Sequence, residues 1–214
     1  MIESLEFLWS GEDFKTKDYY LPTDTHIIRM TYGEAKLLYK YCQAAEKGII
    51  EIGRYFGGST YFAVVASKDS IPVLSVDIRN NIKIYNSKEE MKGIPMEEVM
   101  KDVYLSEDYK KVVKHLIAAQ NNQKLTLLNV DSKDMKLTKE YDVAWIDGDH
   151  SYKGVKNDVE KSINPSLKYL VFHDYEEPTT PGVTKYVNEL ISKGICKKLE
   201  QTHTMIALEY LKNS

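Results

Sequence analysis

Short apolar runs alternate with longer amphipathic stretches along most of the chain, and this alternation predicts its secondary structure. Five runs have the length and composition of buried strands, at 48–53, 72–77, 124–130, 142–146 and 169–174. Two more runs follow near the end of the chain, at 196–201 and 204–211. The very short gap between these last two predicts an antiparallel hairpin.

Helical spacing fills the segments between the strands. Thr31 and Glu34 form a capping box, which predicts that a first helix begins there, and Gly48 is placed to end it. A second helix is predicted from Ser59 to about Ser67, directly after a glycine-containing loop.

Three further helices are predicted in the second half of the pattern. Gly93-Ile94-Pro95 should interrupt a long segment, after which one helix runs through about Ala119. The next helix stops before Pro165, and Thr180 caps the last one with Pro181 at its first position. The apolar stripe of the helix before Pro165 consists of Val155, Val159 and Ile163.

Strands that alternate with helices predict a mostly parallel sheet covered by helices on both faces. We therefore expect an α/β, Rossmann-like doubly wound fold in which the C-terminal hairpin adds antiparallel strands. The 214 residues should form a single domain, with residues 1–30 as an N-terminal cap or lid and residues 78–122 as a helical insertion between the second and third strands.

The composition narrows the classes of partner. The formal net charge is −3, whereas nucleic-acid-binding proteins usually carry a basic balance. Cys42 and Cys196 are the two cysteines, so neither a disulfide framework nor a thiolate zinc site is expected. No apolar run approaches the roughly 18 residues of a membrane span, and the N-terminus lacks a signal pattern. We expect a cytoplasmic protein that binds neither nucleic acid nor membrane. The sequence does not decide between a monomer and a homo-oligomer.

Polar and glycine residues follow the first strand, at the sheet edge where such folds bind ligands. In 51-EIGRYFGGST-60, Gly53 allows a sharp turn and a close approach of a ligand to the backbone. Gly58 and Ser59 open a helix whose free N–H groups attract an anion. The stretch contains neither G-x-G-x-x-G nor G-K-[ST], so dinucleotide and P-loop signatures are absent. A purely structural strand-to-helix turn remains the alternative.

The next two strands end in side chains that are able to bind a nucleoside. Asp77 ends the second strand, where an acid can accept hydrogen bonds from ribose hydroxyls. Asp131 and Ser132 follow the third strand and could contact an adenine edge. These residue types are also common in turns and helix caps, which is the alternative explanation.

The fourth and fifth strands end in 147-DGDH-150 and His173-Asp174. Because neighbouring strands lie about 4.8 Å apart, their carboxylates can converge on one hard cation, at about 2.1 Å for magnesium. Alternatively, Asp149 or Ser151 caps the following helix and His150 faces solvent.

Together these segments resemble the class I S-adenosylmethionine-dependent methyltransferases. The resemblance lies in E-x-G-x-x-x-G-G-S-T, in the acid at Asp77, in D-S at Asp131, in I-D-G-D-H-S-Y and in F-H-D-Y. It is greatest to small O-methyltransferases that act on sugars and related natural products, and it covers about residues 45–210 in collinear order.

The resemblance implies a role for each matching residue. Glu51 and Gly53 would line the methionine part of the cofactor, and Gly58 and Ser59 would lie near its carboxylate or sugar. Asp77 would hold the ribose, and Asp131 and Ser132 the adenine. The residues implied for the metal and the acceptor are Asp147, which also lies near the methyl donor, Asp174 as a second metal ligand, and Asp149 as the base.

One position departs from the family pattern. Metal-dependent relatives often present two consecutive acids, or an acid and an amide, after the fifth strand. Here His173 precedes Asp174, so His173 either supplies the missing ligand or the metal site is weak or absent.

These features predict methyl transfer from S-adenosylmethionine to a hydroxyl of a small molecule or sugar, assisted by a divalent cation such as Mg²⁺. Asp149 is the first choice for the base and His150 the second. An Asp-nucleophile phosphohydrolase is one alternative, because an apolar strand followed by D-x-D also opens that family. A non-catalytic module with the cofactor fold is the other.

Overall fold

The computed structural model describes residues 27–79, 82–93 and 98–212, without the side chains of residues 98 and 99. The expected N-terminal cap spans residues 1–30, of which residues 1–26 lie outside the described residues. Ile94 and Pro95 of the predicted break also lie outside them. Within the described ranges, no helix combines the length and apolar character that crossing a membrane requires.

The sheet contains seven strands among the described residues. They are β1 (Ile49–Ile52), β2 (Val73–Asp77), β3 (Leu125–Asn129), β4 (Val143–Ile146), β5 (Tyr169–Phe172), β6 (Cys196–Thr202) and β7 (Met205–Tyr210). Their order is β3-β2-β1-β4-β5-β7-β6, in which the first five strands are parallel and β7 runs antiparallel to both of its neighbours. This arrangement confirms the predicted doubly wound fold with an antiparallel C-terminal hairpin.

Helices cover both faces of the sheet. They are α1 (Tyr32–Ala44), α2 (Gly58–Ala66), α3 (Glu98–Leu105), α4 (Glu107–Asn121), α5 (Tyr152–Ser162) and α6 (Pro181–Ser192). Side chains of α1 to α4 form the apolar core on one face, and side chains of α5 and α6 form the core on the other. The central strands β1 and β4 are buried along their whole length, which explains why their residues are apolar except for the buried Glu51 of β1.

Several predicted helix boundaries were wrong. The helix α1 begins with the predicted capping box but ends at Ala44, before Gly48. The helix predicted through about Ala119 is two helices, because the Ser106 hydroxyl accepts a hydrogen bond from the Tyr109 amide and caps α4. Ile163 follows the last residue of α5 and is 43% exposed, so it is not part of the buried stripe.

Thr180 lies at the N-cap position of α6 but does not cap it through its side chain. Its hydroxyl donates instead to the backbone oxygen of Asp174, at 3.1 Å. Pro181 occupies the first turn as predicted. The hydroxyl therefore ties the start of α6 to the chain that leaves β5.

Candidate active site

A cleft of about 570 Å³ opens at the carboxyl ends of the parallel strands. Its walls are formed by the segment 27–30, by the turns after β1, β2 and β3, and by the residues that follow β4 and β5. Ten of the predicted site residues line it: Gly53, Ser59, Asp77, Asp131, Ser132, Asp147, Asp149, His150, His173 and Asp174. Glu51 and Gly58 are not lining residues. The structure thus places most of the sequence-predicted residues at one cleft.

Gly53 has a backbone that no other residue would replace without strain. Its φ is +97°, and a Cβ built on it would lie 1.9 Å from the Asp147 backbone oxygen. The turn after β1 therefore packs directly on the chain that leaves β4. This close contact brings the turn after β1 beside Asp147.

Glu51 lies beneath the cleft and is fully buried. Its carboxylate accepts hydrogen bonds from the hydroxyls of Ser59 and Ser75, both at 2.5 Å, and from that of Thr60. Burial raises the pKa of Glu51 more than these three hydroxyls lower it. The carboxylate thus fixes the first turn of α2 against β1 and β2.

Gly58 shapes one wall of the cleft. A Cβ at this position would lie 2.3 Å from the Ile27 backbone oxygen. Any larger residue would push the segment 27–30 away from α2. Its role in the described structure is therefore to let that segment close the cleft.

Asp77 is buried and well supplied with donors. The amides of Arg54 and Tyr55 donate to Oδ2 at 2.9 and 3.1 Å, and the amide and guanidinium of Arg79 complete the set. Burial would raise the pKa of Asp77, but the hydrogen bonds and charge of Arg79 lower it overall. The carboxylate is therefore ionised and held at the end of β2.

Asp131 and Ser132 form the start of a short 3-10 turn, Ser132–Asp134, after β3. The Asp131 carboxylate accepts a hydrogen bond from the Lys133 amide at 2.9 Å. The Ser132 hydroxyl donates to Oδ1 of Asp158 at 2.6 Å, an interaction that the sequence did not predict. Both residues face the cleft from the β3 side of the sheet.

Asp147, His173 and Asp174 bring ligand atoms within 4.8 Å of one another. His173 Nδ1 lies 3.1 Å from Asp174 Oδ1 and 3.9 Å from Asp147 Oδ1. Asp174 has a φ of +59°, a left-handed conformation that is unusual for a non-glycine residue and is often found at functional sites. This group has the composition of a small divalent cation site, with two carboxylates and one imidazole.

A buried carboxylate lies on the other side of the His173 ring. Glu34 Oε2 is 3.6 Å from His173 Nε2, and Glu34 also accepts hydrogen bonds from the Thr31 amide and from the amide and hydroxyl of Thr204. Burial would lower the pKa of His173, but Asp147, Asp174 and Glu34 raise it well above its usual value. The sequence predicted Glu34 only as a capping residue, since Thr204 is 170 positions away.

His150 does not simply face solvent. Its Nε2 lies 3.3 Å from Asp147 Oδ1 and 3.2 Å from Asp174 Oδ2. The hydrogen bond with Asp147 raises the pKa of His150, and partial burial opposes that rise only in part. His150 is therefore the fourth member of the cluster.

Asp149 turns away from that cluster. Its carboxylate accepts hydrogen bonds from the amide and the hydroxyl of Ser151, at 2.9 and 3.1 Å. The Ser151 hydroxyl in turn caps α5 by accepting from the Gly154 amide at 3.0 Å. Of the two caps considered from the sequence, Ser151 is the one that the structure contains, and Asp149 supports it.

The doubly wound sheet, the glycine turn after β1 and the acids at the ends of β2 and β4 are features of methyltransferases with a Rossmann-like fold. Residues 50–175 match a family model described as "Methyltransferase domain", and the chain belongs to this family. No curated protein has a significantly similar sequence. Membership of the family confirms the predicted class and leaves the phosphohydrolase alternative without support.

Solved structures of several O-methyltransferases share the fold. The O-methyltransferase NovP superposes with a TM-score of 0.63 at 12% identity, over 99% of this chain and 98% of NovP. The TDP-rhamnose 3'-O-methyltransferase CalS11 gives 0.56 at 14% identity, over 97% and 92%. A putative caffeoyl-CoA O-methyltransferase from Staphylococcus aureus gives 0.56 at 15% identity, over 86% and 85%. At these identities the likeness shows a common fold alone.

Proposed function

We propose that the protein transfers a methyl group from S-adenosylmethionine to a hydroxyl of a small molecule or sugar, assisted by a divalent cation. The observation that carries this proposal is that Asp147, His150, His173 and Asp174 converge in the cleft that Gly53 also lines. The shared fold with O-methyltransferases, one of which acts on a sugar nucleotide, supports a hydroxyl acceptor.

The residues along the cleft fit a nucleoside attached to an amino acid. Gly53 lines the cleft, and Ser59, in the first turn of α2, lies where free N–H groups favour a carboxylate. Asp77 would hold the ribose, and Asp131 with Ser132 the adenine. When bound, S-adenosylmethionine supplies an electrophilic methyl group. The task of the chain is to hold the acceptor oxygen in line with it.

Asp147, His173 and Asp174 would hold the cation, which we expect to be Mg²⁺. The fit rests on ligand atoms that converge from two neighbouring strands and on His173, whose Nδ1 points into the group while Nε2 faces Glu34. A carboxylate behind a ligating histidine is a common way to fix the orientation of the ring. The cation would lower the pKa of an acceptor hydroxyl.

Between the two candidates for the base, the geometry favours His150. Its Nε2 is in the cluster, whereas both Asp149 oxygens are engaged by Ser151. We propose that His150 takes the acceptor proton and that Asp149 positions the start of α5.

Titration calorimetry with S-adenosylmethionine and S-adenosylhomocysteine tests the donor. We expect binding in the micromolar range, and an absence of binding at millimolar concentration would rule the proposal out. Methyl transfer to a panel of sugars, sugar nucleotides and phenols then tests the acceptor. Full activity of Asp147→Ala in excess chelator would remove the cation from the mechanism.

The roles of His150 and Asp149 separate kinetically. We expect His150→Ala to lower kcat by about 10²–10⁴-fold, the usual contribution of a general base, with little change in the affinity for S-adenosylhomocysteine. Asp149→Asn should lower the unfolding temperature and change kcat little. The reverse pattern would make Asp149 the base.

The negative charge of the chain supports a small acceptor and argues against nucleic acid. We propose that the enzyme acts in the cytoplasm without membrane contact.

A further inference from the structure

One carboxylate in the wall of the cleft has an oxygen without a hydrogen-bond partner in the part of the chain that the structure describes. Asp158 lies in α5 and is 1% exposed. Its Oδ1 accepts hydrogen bonds from the Ser132 hydroxyl at 2.6 Å and from the side-chain amide of Asn157 at 3.3 Å. Its Oδ2 is buried and has no hydrogen-bond partner among the described residues.

This free oxygen lies beneath the turn that follows β4. Asp158 is a lining residue of the cleft, and a Cβ built on Gly148 would lie 2.7 Å from its Oδ2. Gly148 directly follows Asp147, whose backbone oxygen contacts Gly53. The free oxygen therefore faces Gly148 in the turn after β4, and the bonded oxygen faces Ser132.

An unpaired carboxylate oxygen in such a place is costly. A buried polar atom without a partner costs about 1–3 kcal/mol, and more when it is charged. Burial raises the pKa of Asp158 more than the hydrogen bonds from Ser132 and Asn157 lower it. The charge of Asp149 raises the pKa of this carboxyl and the Asp149 backbone amide lowers it, but that amide does not reach hydrogen-bond geometry with Oδ2. The described residues therefore leave this oxygen without a donor.

We infer that Asp158 binds the methyl donor, and that its Oδ2 accepts a hydrogen bond from an amine of the bound molecule. The inference rests on the proposed function, which supplies the ligand. S-adenosylmethionine and S-adenosylhomocysteine carry two amines, the α-amino group of the amino-acid part and the 6-amino group of adenine. Each provides the N–H that an acceptor oxygen requires. Asp158 thereby joins Asp77 and Asp131 as an acid that holds the cofactor.

Calorimetry of S-adenosylhomocysteine with the wild-type protein and Asp158→Asn tests this role. The substitution keeps the shape of the side chain and an oxygen for Ser132, but it puts an amide N–H where the amine would donate. We expect the affinity to fall by about 10–100-fold, the usual loss for a hydrogen bond to a charged group. Asp158→Ala, which removes the carboxylate outright, should show a similar loss.

A second ligand identifies the amine. The nucleoside 5'-methylthioadenosine lacks the α-amino group but keeps adenine. If Asp158→Asn binds it as well as the wild type does, the partner is the α-amino group. If its affinity falls as much as that of S-adenosylhomocysteine, the partner is the adenine amine. Either result supports the inference.

Ser162→Ala is the matched control. The Ser162 hydroxyl donates to the backbone oxygen of Asp158 at 2.7 Å, so its loss weakens the same turn of α5 and leaves the carboxylate in place. We expect Ser162→Ala to unfold at a lower temperature with unchanged affinity. Without ligand, the Asp158→Asn variant should unfold at the wild-type temperature or above, because it loses an unpaired acceptor.

Three results would overturn the inference, and they differ in what they imply. If the wild type binds S-adenosylhomocysteine and Asp158→Asn binds it equally well, Asp158 has no role in binding and the proposed function stands. If the wild type does not bind the ligand at all, the proposed function fails and takes the inference with it. A lower unfolding temperature for Asp158→Asn with unchanged affinity would make the residue purely structural.

Discussion

The guanidinium of Arg79 lies across the carboxylate of Asp77, with Nε 3.0 Å from Oδ1 and Nη2 3.1 Å from Oδ2. The amides of Arg54, Tyr55 and Arg79 donate to the same two oxygens. A carboxylate has about four lone-pair sites, so these five donors leave none for a ribose hydroxyl. The Arg79 side chain is 52% exposed and is the donor that can move.

We therefore predict that Arg79 competes with the ribose for Asp77. In Arg79→Ala the three amides remain and about one lone-pair site of the carboxylate becomes free. The affinity for S-adenosylhomocysteine should rise by about two- to fivefold, because a partly exposed ion pair contributes about 0.2–1 kcal/mol. Calorimetry at fixed ionic strength measures the change.

Lys133→Ala is the control for charge. Lys133 also lines the cleft and also pairs with an acid, Asp131, at 3.4 Å, but Asp131 keeps room for another donor. Its loss should leave the affinity nearly unchanged. Weaker binding by Arg79→Ala would mean that the guanidinium orients Asp77 for the ribose instead of blocking it.

Gly53 provides a second prediction, since its backbone conformation and its packing both exclude a side chain. In Gly53→Ala the new Cβ would lie 1.9 Å from the Asp147 backbone oxygen, with a φ of +97°. Neither atom belongs to a flexible side chain, so the turn after β1 or the chain after β4 must shift. We expect a loss of about 3 kcal/mol or more in the free energy of unfolding, and loss of S-adenosylhomocysteine binding.

Gly194→Ala separates strain from packing. Gly194 has a φ of +65°, but a Cβ there would meet no atom within 4 Å. This variant should lose only about 1–2 kcal/mol, the cost of a left-handed alanine, and should bind normally. Urea unfolding and calorimetry of both variants make the comparison. Equal destabilisation of the two would show that the contact with Asp147 is unimportant.

The strand ends could be predicted from the sequence because their signals are local. Strand β4 is a continuous apolar run and β1 is apolar except for Glu51, and each is followed at once by the glycine or acid that reaches the cleft. In a parallel sheet, strand order and direction then bring Gly53, Asp77 and Asp147 to one edge. The predicted grouping of Asp147 with His173 and Asp174 follows from the pairing of β4 with β5.

Other parts of the site depend on contacts between distant segments. The bond between Glu34 and Thr204 joins α1 to the turn between β6 and β7, and no local pattern reveals it. Arg79 follows Asp77 by two residues, but its fold-back depends on the turn that the chain takes there. Asp158 did leave a signal, since an acid stands between Val155 and Val159 on the buried stripe of α5. A charged residue on such a stripe needs a partner.

The last prediction concerns Glu34 and acid. Burial would raise the pKa of Glu34, but the charge of the His173 imidazole 3.6 Å away, the Thr31 amide and the Thr204 side chain lower it from 4.5 to about 2. A carboxyl with a lowered pKa stabilises the fold fully above its unfolded value, and that stability is lost as the pH falls through the folded value. Glu34→Gln should therefore lose about 3 kcal/mol of unfolding free energy at pH 7, and the gap to wild type should narrow between pH 4.5 and 2.

Urea unfolding in chelator from about pH 7 down to about pH 2 measures this difference, because that series includes the interval from 4.5 to 2 in which the gap should narrow. Glu46→Gln is the control, because Glu46 pairs with Lys168 on the surface and its pKa is lowered by that contact. An exposed pair contributes little, so its curve should follow the wild type. If the Glu34→Gln curve ran parallel to the wild type at every pH, the carboxylate would not be charged against His173. The substitution would then act only through the lost cap and the Thr204 hydrogen bonds.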